Sequence, residues 1–104
     1  MSLTSTVIDT TNTQVYSSTG VNAVTSIIVC NTTDSTDALF SLYLVGSGQT
    51  ASAANKIIHK LPLPASETLS LDQEKIILDD GDHIVALSDH ANTLSITIST
   101  LSVS

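Results

Sequence analysis

The sequence predicts an all-β fold, a single antiparallel β-sandwich of about seven or eight strands, from three observations. β-Branched residues (Val, Ile and Thr) dominate, no stretch repeats at helical spacing, and short apolar runs are broken by turn residues about every 8 to 12 positions. At 104 residues the chain suits one domain, since domains mostly run to about 100 to 150 residues. A 41% hydrophobic fraction beside only 12% charged residues allows a packed core and disfavours disorder.

The opening 20 residues are Ser- and Thr-rich. They carry weak strand patterns near Thr6 to Ile8 and Gln14 to Ser17, and read as an N-terminal strand or extended arm ahead of a sandwich spanning 21–104. Ala23 to Asn31 (AVTSIIVCN) is the clearest strand, stopped by the turn-forming run Asn31-Thr-Thr-Asp34. Ala38 to Val45 (ALFSLYLV) is expected as its hairpin partner. Gly46-Ser-Gly48 breaks the ladder, and Thr50 to Asn55 suits one helical turn crossing between sheets. Lys56 to Lys60 is a short strand. Pro62 and Pro64 lack amide donors, so Leu61 to Ala65 belongs at a sheet edge or in a connection.

Glu67 to Leu71 alternates, and Lys75 to Leu78 leads into Asp79-Asp-Gly-Asp82, a turn in which Gly81 is free to take positive φ. Asp82 to Ser88 continues as a strand, and a last hairpin turn is expected at Asp89 to Asn92. Thr93 to Val103 then alternates strictly, with Leu94, Ile96 and Ile98 on one face and Ser95, Thr97 and Ser99 on the other.

Two strands are apolar on both faces. Successive side chains of a strand point to opposite sides, yet nearly all those of Ile27 to Cys30 and Leu39 to Val45 are hydrophobic. A two-layer sandwich buries one face of each sheet, so the other must be covered by the chain itself, by another copy or by a partner. The candidate protein interface is therefore Ile27, Ile28, Val29, Leu39, Phe40, Leu42, Tyr43, Leu44 and Val45.

Charge narrows the partners. The net charge is −7, there is no Arg, and Lys56, Lys60 and Lys75 are the only Lys residues. That is too sparse a basic surface for nucleic acid or for an anionic membrane. The N-terminus has neither the basic nor the apolar region of a secretory signal, and no apolar run approaches the roughly 20 residues of a membrane-spanning helix. Cys30 is alone, which suits assembly in a reducing cytoplasm.

No catalytic or cofactor pattern emerges. Asp79, Asp80 and Asp82 could offer oxygen ligands to calcium, but they lack EF-hand spacing and read as a solvated turn. His59, His83 and His90 show no zinc spacing, although His83 beside Asp82 and His90 beside Asp89 suit pH-sensitive contacts. Cys30 sits in the most apolar strand, where burial keeps a thiol inert. Gly46-Ser47-Gly48 is not a nucleophile elbow. Phe40, Tyr16 and Tyr43 are the only aromatics, few for a sugar-stacking site.

The runs Val24-Thr-Ser-Ile-Ile-Val-Cys-Asn-Thr32, Phe40-Ser-Leu-Tyr-Leu-Val45 and Leu78-Asp-Asp-Gly-Asp-His-Ile-Val-Ala86 resemble small accessory virion proteins of tailed bacteriophages. The resemblance covers roughly Val21 to Val103. It implies an immunoglobulin-like sandwich that decorates or cements a capsid, with no catalytic residues and no cofactor. The expected partners are other virion proteins and further copies of the chain in a homo-oligomer, taken as a trimer. The Ser/Thr-rich start would be an arm reaching a neighbouring subunit. The expected location is the virion, after assembly in the host cytoplasm. A tail, neck or baseplate component is the nearest alternative. A receptor- or carbohydrate-binding module using the loops Asn31 to Asp37 and Gly46 to Asn55 is the alternative from another class.

Overall fold

The computed structural model describes residues 2–71 and 76–103. Nine strands follow in chain order: β1 (Ser2–Ile8), β2 (Thr13–Ser17), β3 (Asn22–Asn31), β4 (Ala38–Val45), β5 (Lys56–Leu63), β6 (Thr68–Leu71), β7 (Ile76–Leu78), β8 (His83–Ser88) and β9 (Leu94–Ser102). The start of the expected strand at Lys75 lies outside the described residues.

The strands form two antiparallel sheets packed as a sandwich. The five-stranded sheet runs β1-β9-β3-β6, with β7 also pairing β3, end to end with β6. The four-stranded sheet runs β2-β8-β4-β5. Counting β6 and β7 as one interrupted strand, this is the eight-position wiring of a jelly roll. Immunoglobulin sandwiches keep their last two strands as neighbours in one sheet. Here β9 instead leaves β8 and inserts between β1 and β3. Backbone satisfaction accounts for that choice: β3 and β9 are the two longest strands, and their ladder runs from Asn22↔Ser102 to Asn31↔Leu94.

Period-2 alternation aims one side chain in two at the gap between the sheets. From the five-stranded sheet come Ile8, Val24, Ile27, Val29, Leu94, Ile96 and Ile98, and from the other Val15, Phe40, Leu42, Ile84 and Ala86, all buried in one cluster. Each large aliphatic side chain so buried contributes roughly 1.5 to 3 kcal/mol relative to exposure.

Several sequence expectations change in the folded chain. Of the two readings of the first 20 residues, strand or extended arm, the strand is the one observed: β1 and β2 supply a strand to each sheet, so the sandwich does not begin at residue 21. Strand β4 pairs β5 and β8 in the opposite sheet from β3, because the Thr32–Asp37 connection crosses between layers. The helical turn exists, as a 3-10 turn at Ala53–Asn55, but it joins β4 to β5 within one sheet. The turn at Asp89–Asn92 joins strands of different sheets.

Asn31 locks the crossing at the end of β3. It is buried, and its Nδ2 donates to the carbonyls of Thr36 (2.8 Å) and Leu63 (3.0 Å). Its Oδ1 accepts from the amide (3.0 Å) and hydroxyl (2.7 Å) of Thr33. One side chain thereby ties β3, the crossing loop and β5 together. Replacing Asn31 by Ala should lower unfolding free energy by about 2 to 4 kcal/mol in urea titrations, since it strands a buried carbonyl and frees the loop. A loss below about 1 kcal/mol would show that water replaces those bonds freely.

Candidate interaction surface

The sequence-derived interface residues do not form one surface. Ile27, Val29, Phe40 and Leu42 point into the core. Tyr43 and Val45 do project from the outer face of the four-stranded sheet, but they are buried there with Val85. The chain supplies the cover itself: Ala51, from the loop between β4 and β5, and Leu87 pack against them. The Lys56 ammonium sits 5.2 Å from the Tyr43 ring centroid, a cation–π contact worth about 0.5 to 1 kcal/mol. Leu39 and Leu44 are half-buried, and Ile28 alone is exposed. Nothing in the polar composition of the 46–55 loop marked it as a lid.

The outer face of the five-stranded sheet has no such cover among the described residues. Register places Leu3, Ser5 and Val7 of β1 beside Ser99, Thr97 and Ser95 of β9. Ile28 and Cys30 of β3 lie beside Thr97 and Ser95 on the one side and Ser70 and Thr68 of β6 on the other. At the end where β9 finishes, Leu101, Ala23 and Ile77 line up across β9, β3 and β7. Five of the seven exposed large hydrophobic side chains among the described residues sit on this face: Leu3 (70% exposed), Val7, Ile28 (40%), Ile77 (57%) and Leu101. The remainder of the described residues there is Ser and Thr, with Ala23 and Cys30. No residue assigned to it carries a charge, although the chain's net charge is −7.

Small hydroxyls are held flat against this sheet. Ser5 and Thr97 share a 3.1 Å hydrogen bond, and Thr25, the extra residue of a bulge between Val24 and Ser26, donates to Ser99 O (3.1 Å) and bonds Ser99 Oγ (2.9 Å). Cys30 also belongs here, half-buried rather than enclosed in the core as the sequence suggested. Ile27 and Val29 take the inward positions, and alternation turns Cys30 outward. Its thiol belongs to the five-stranded sheet, whereas His59 on β5 and His83 on β8 belong to the four-stranded sheet and His90 lies in the turn between β8 and β9.

The described acidic residues lie in the connections. Every described strand is free of Asp and Glu. In the Asp79–Asp82 turn the carboxylates cap backbone amides: Asp82 accepts from Ser47 N (3.0 Å) and Asp79 N (2.9 Å), and Asp80 accepts from Gly20 N (2.9 Å). Three loops are clamped in this way, and Gly81 takes the expected positive φ of 89°. No group of three or more His, Cys, Asp or Glu among the described residues could hold a metal ion. His59 bonds Lys56 Nζ (2.9 Å), and His83 Nδ1 lies 3.3 Å from Gly81 O. No helix among the described residues is long and apolar enough to cross a membrane.

At the opposite end, Asp89 Oδ1 accepts from Leu39 N (2.8 Å) and pairs with His90 Nδ1 (3.0 Å). Desolvation opposes its ionisation, but the Leu39 amide and His90 outweigh that and hold the carboxyl below its ordinary range. The carboxyl of Asp89, followed by NMR, should therefore titrate below the ordinary Asp value of about 3.9. Its contribution to stability is complete above the unfolded-state value and is lost as pH falls through the folded one. A midpoint at or above the ordinary value would refute this reading of the cap. No protein-family model, curated protein or solved structure matches the chain.

Proposed function

We propose that the chain is an accessory structural protein of a phage virion, of the capsid-decoration or cement type, that acts by docking the outer face of its five-stranded sheet on a protein partner. The observation that carries the reading is the uncharged face bearing Leu3, Val7, Ile28, Ile77 and Leu101 on an otherwise acidic chain. Exposed apolar surface of this extent marks interaction sites, and the absence of charge removes the largest desolvation cost of covering it.

The dimensions are adequate. Four strand positions about 4.8 Å apart and a nine-residue β9 rising about 3.3 Å per residue give a footprint on the order of 600 Å² before side-chain relief is added. A standard interface takes about 800 Å² from each partner. Jelly-roll sandwiches recur in viral capsid domains, an analogy of fold that agrees with the resemblance without carrying the argument. The same fold also serves lectins. A sugar-stacking site is disfavoured here because Phe40 and Tyr43 are buried and Tyr16 is half-buried.

Mass spectrometry of separated heads and tails should find the protein with heads, and the Ile77→Lys, Leu101→Lys double variant should be lost from particles while keeping its melting temperature. Recovery with tails would move the role to the neck, tail or baseplate. Full retention of the double variant would sink the assignment of this face, and absence of the wild-type protein from virions would sink the reading as a whole.

A further inference from the structure

The four edges of the sandwich are not equally protected. An edge strand presents unpaired amides and carbonyls that template pairing with another chain, and proteins blunt such edges with short strands, bulges, Lys and Pro. Strand β5 carries Lys56, Lys60 and Pro62 and two register shifts against β4; at one of them Lys60 takes φ 49° with its amide bonded to Ser41 Oγ (3.1 Å). Strand β2 has five residues and a bulge between Gln14 and Tyr16. The opposite edge of the five-stranded sheet is divided into β6, of four residues, and β7, of three.

Strand β1 has none of these devices. Its seven residues, SLTSTVI, contain no charge and no Pro, and they pair with β9 in unbroken register from Ser2↔Thr100 to Ile8↔Leu94. Its other edge has no strand partner among the described residues.

We infer that the β1 edge is a dimerisation site for a second copy of this chain, the two β1 strands pairing antiparallel about a two-fold axis at Ser5. The sequence of β1 is complementary to itself in this register. Residues directly opposite in an antiparallel pair share a face of the sheet. Centring on Ser5 sets Leu3 against the partner's Val7, Val7 against the partner's Leu3, and Thr4 against the partner's Thr6. Centring one residue earlier sets Leu3 against the partner's Ser5, and centring one residue later sets Leu3 against the partner's Asp9. Of these three registers only the Ser5 one pairs both exposed aliphatic side chains of β1 with each other and sets Ser5 against the partner's Ser5.

Charge at the contact itself does not oppose this occupant. Described acidic residues all lie outside the strands, so two acidic copies meet along β1 without apposing carboxylates. The contact is isologous and closes as a dimer, whereas a trimer would need a second, different contact. It also joins the two outer faces into one continuous surface, side by side. The inference stands apart from the virion assignment, because it concerns the purified chain alone.

The test uses the full chain with Cys30→Ser, so that a single introduced thiol reports contact. Ser5→Cys should cross-link to a dimer with a short bis-maleimide, whereas Ser70→Cys, on the far strand of the same face, should not. Wild-type protein should pass from monomer to dimer with rising concentration in light scattering. Ser5→Lys, which opposes two ammonium groups at the axis, should remain monomeric with an unchanged melting temperature. Wild-type protein that stays monomeric up to millimolar concentration would overturn the inference. So would a dimer that survives Ser5→Lys, or one that cross-links through Ser70→Cys and not Ser5→Cys, which would place the contact on the sheet face instead.

Discussion

The structure depends on one aliphatic layer held between two sheets. With three aromatic residues in the whole chain, the core is assembled from Ile, Leu and Val, and Phe40 is its only buried phenyl ring. Aliphatic side chains of this size fill a gap of about 10 Å only when both sheets contribute at every level. Each strand must therefore present its apolar positions facing that gap, and at two of the register shifts a side chain compensates. Ser41 bonds the Lys60 amide at one bulge, and Thr25 folds over Ser99 at another. Connections that cross between layers need anchors of their own. Asn31 anchors one, and the Asp80 and Asp82 carboxylates clamp the loops around another.

With that layer filled, the two outer faces meet different ends. The four-stranded sheet is covered from within, by the loop that brings Ala51 over Tyr43 and Val45 and by the aliphatic stem and ammonium of Lys56. The five-stranded sheet is left with Ser, Thr and exposed aliphatic side chains. Hydroxyls satisfied by one another lie close to the backbone and keep such a face flat, which suits it to close approach by another surface. The described acidic groups lie in the loops and do not obstruct that approach.

The acids of this protein thus act as structural caps more than as chemistry. In the fold the Asp82 carboxylate is engaged by the amides of Ser47 and Asp79 and the Asp80 carboxylate by that of Gly20, an anchoring that suits a tight turn between strands of different sheets. Asp89 serves the same purpose at the other end, where its carboxylate receives the Leu39 amide.

Sequence by itself determined the local terms. The strands, the turn at Gly81, the strict alternation of Leu94, Ile96 and Ile98 and the excess of apolar surface over one core were legible, because each follows from backbone geometry within a few residues. Tertiary structure decided which face of each strand is inner, which strands pair, and what covers the surplus. Ile27 and Ile28 are chemically equivalent neighbours, and only the placement of β9 and β6 on either side of β3 sends the first inward and the second outward. Jelly-roll and immunoglobulin orders draw on the same alternating strands and differ in long-range pairing, which no local pattern encodes. Tyr43 and Val45 looked like an interface because the loop that buries them, 46–55, carries no apolar periodicity of its own. The uncovered face was missed for the complementary reason: Leu3, Ile77 and Leu101 are far apart in sequence and become one surface only when β1, β7 and β9 share a sheet.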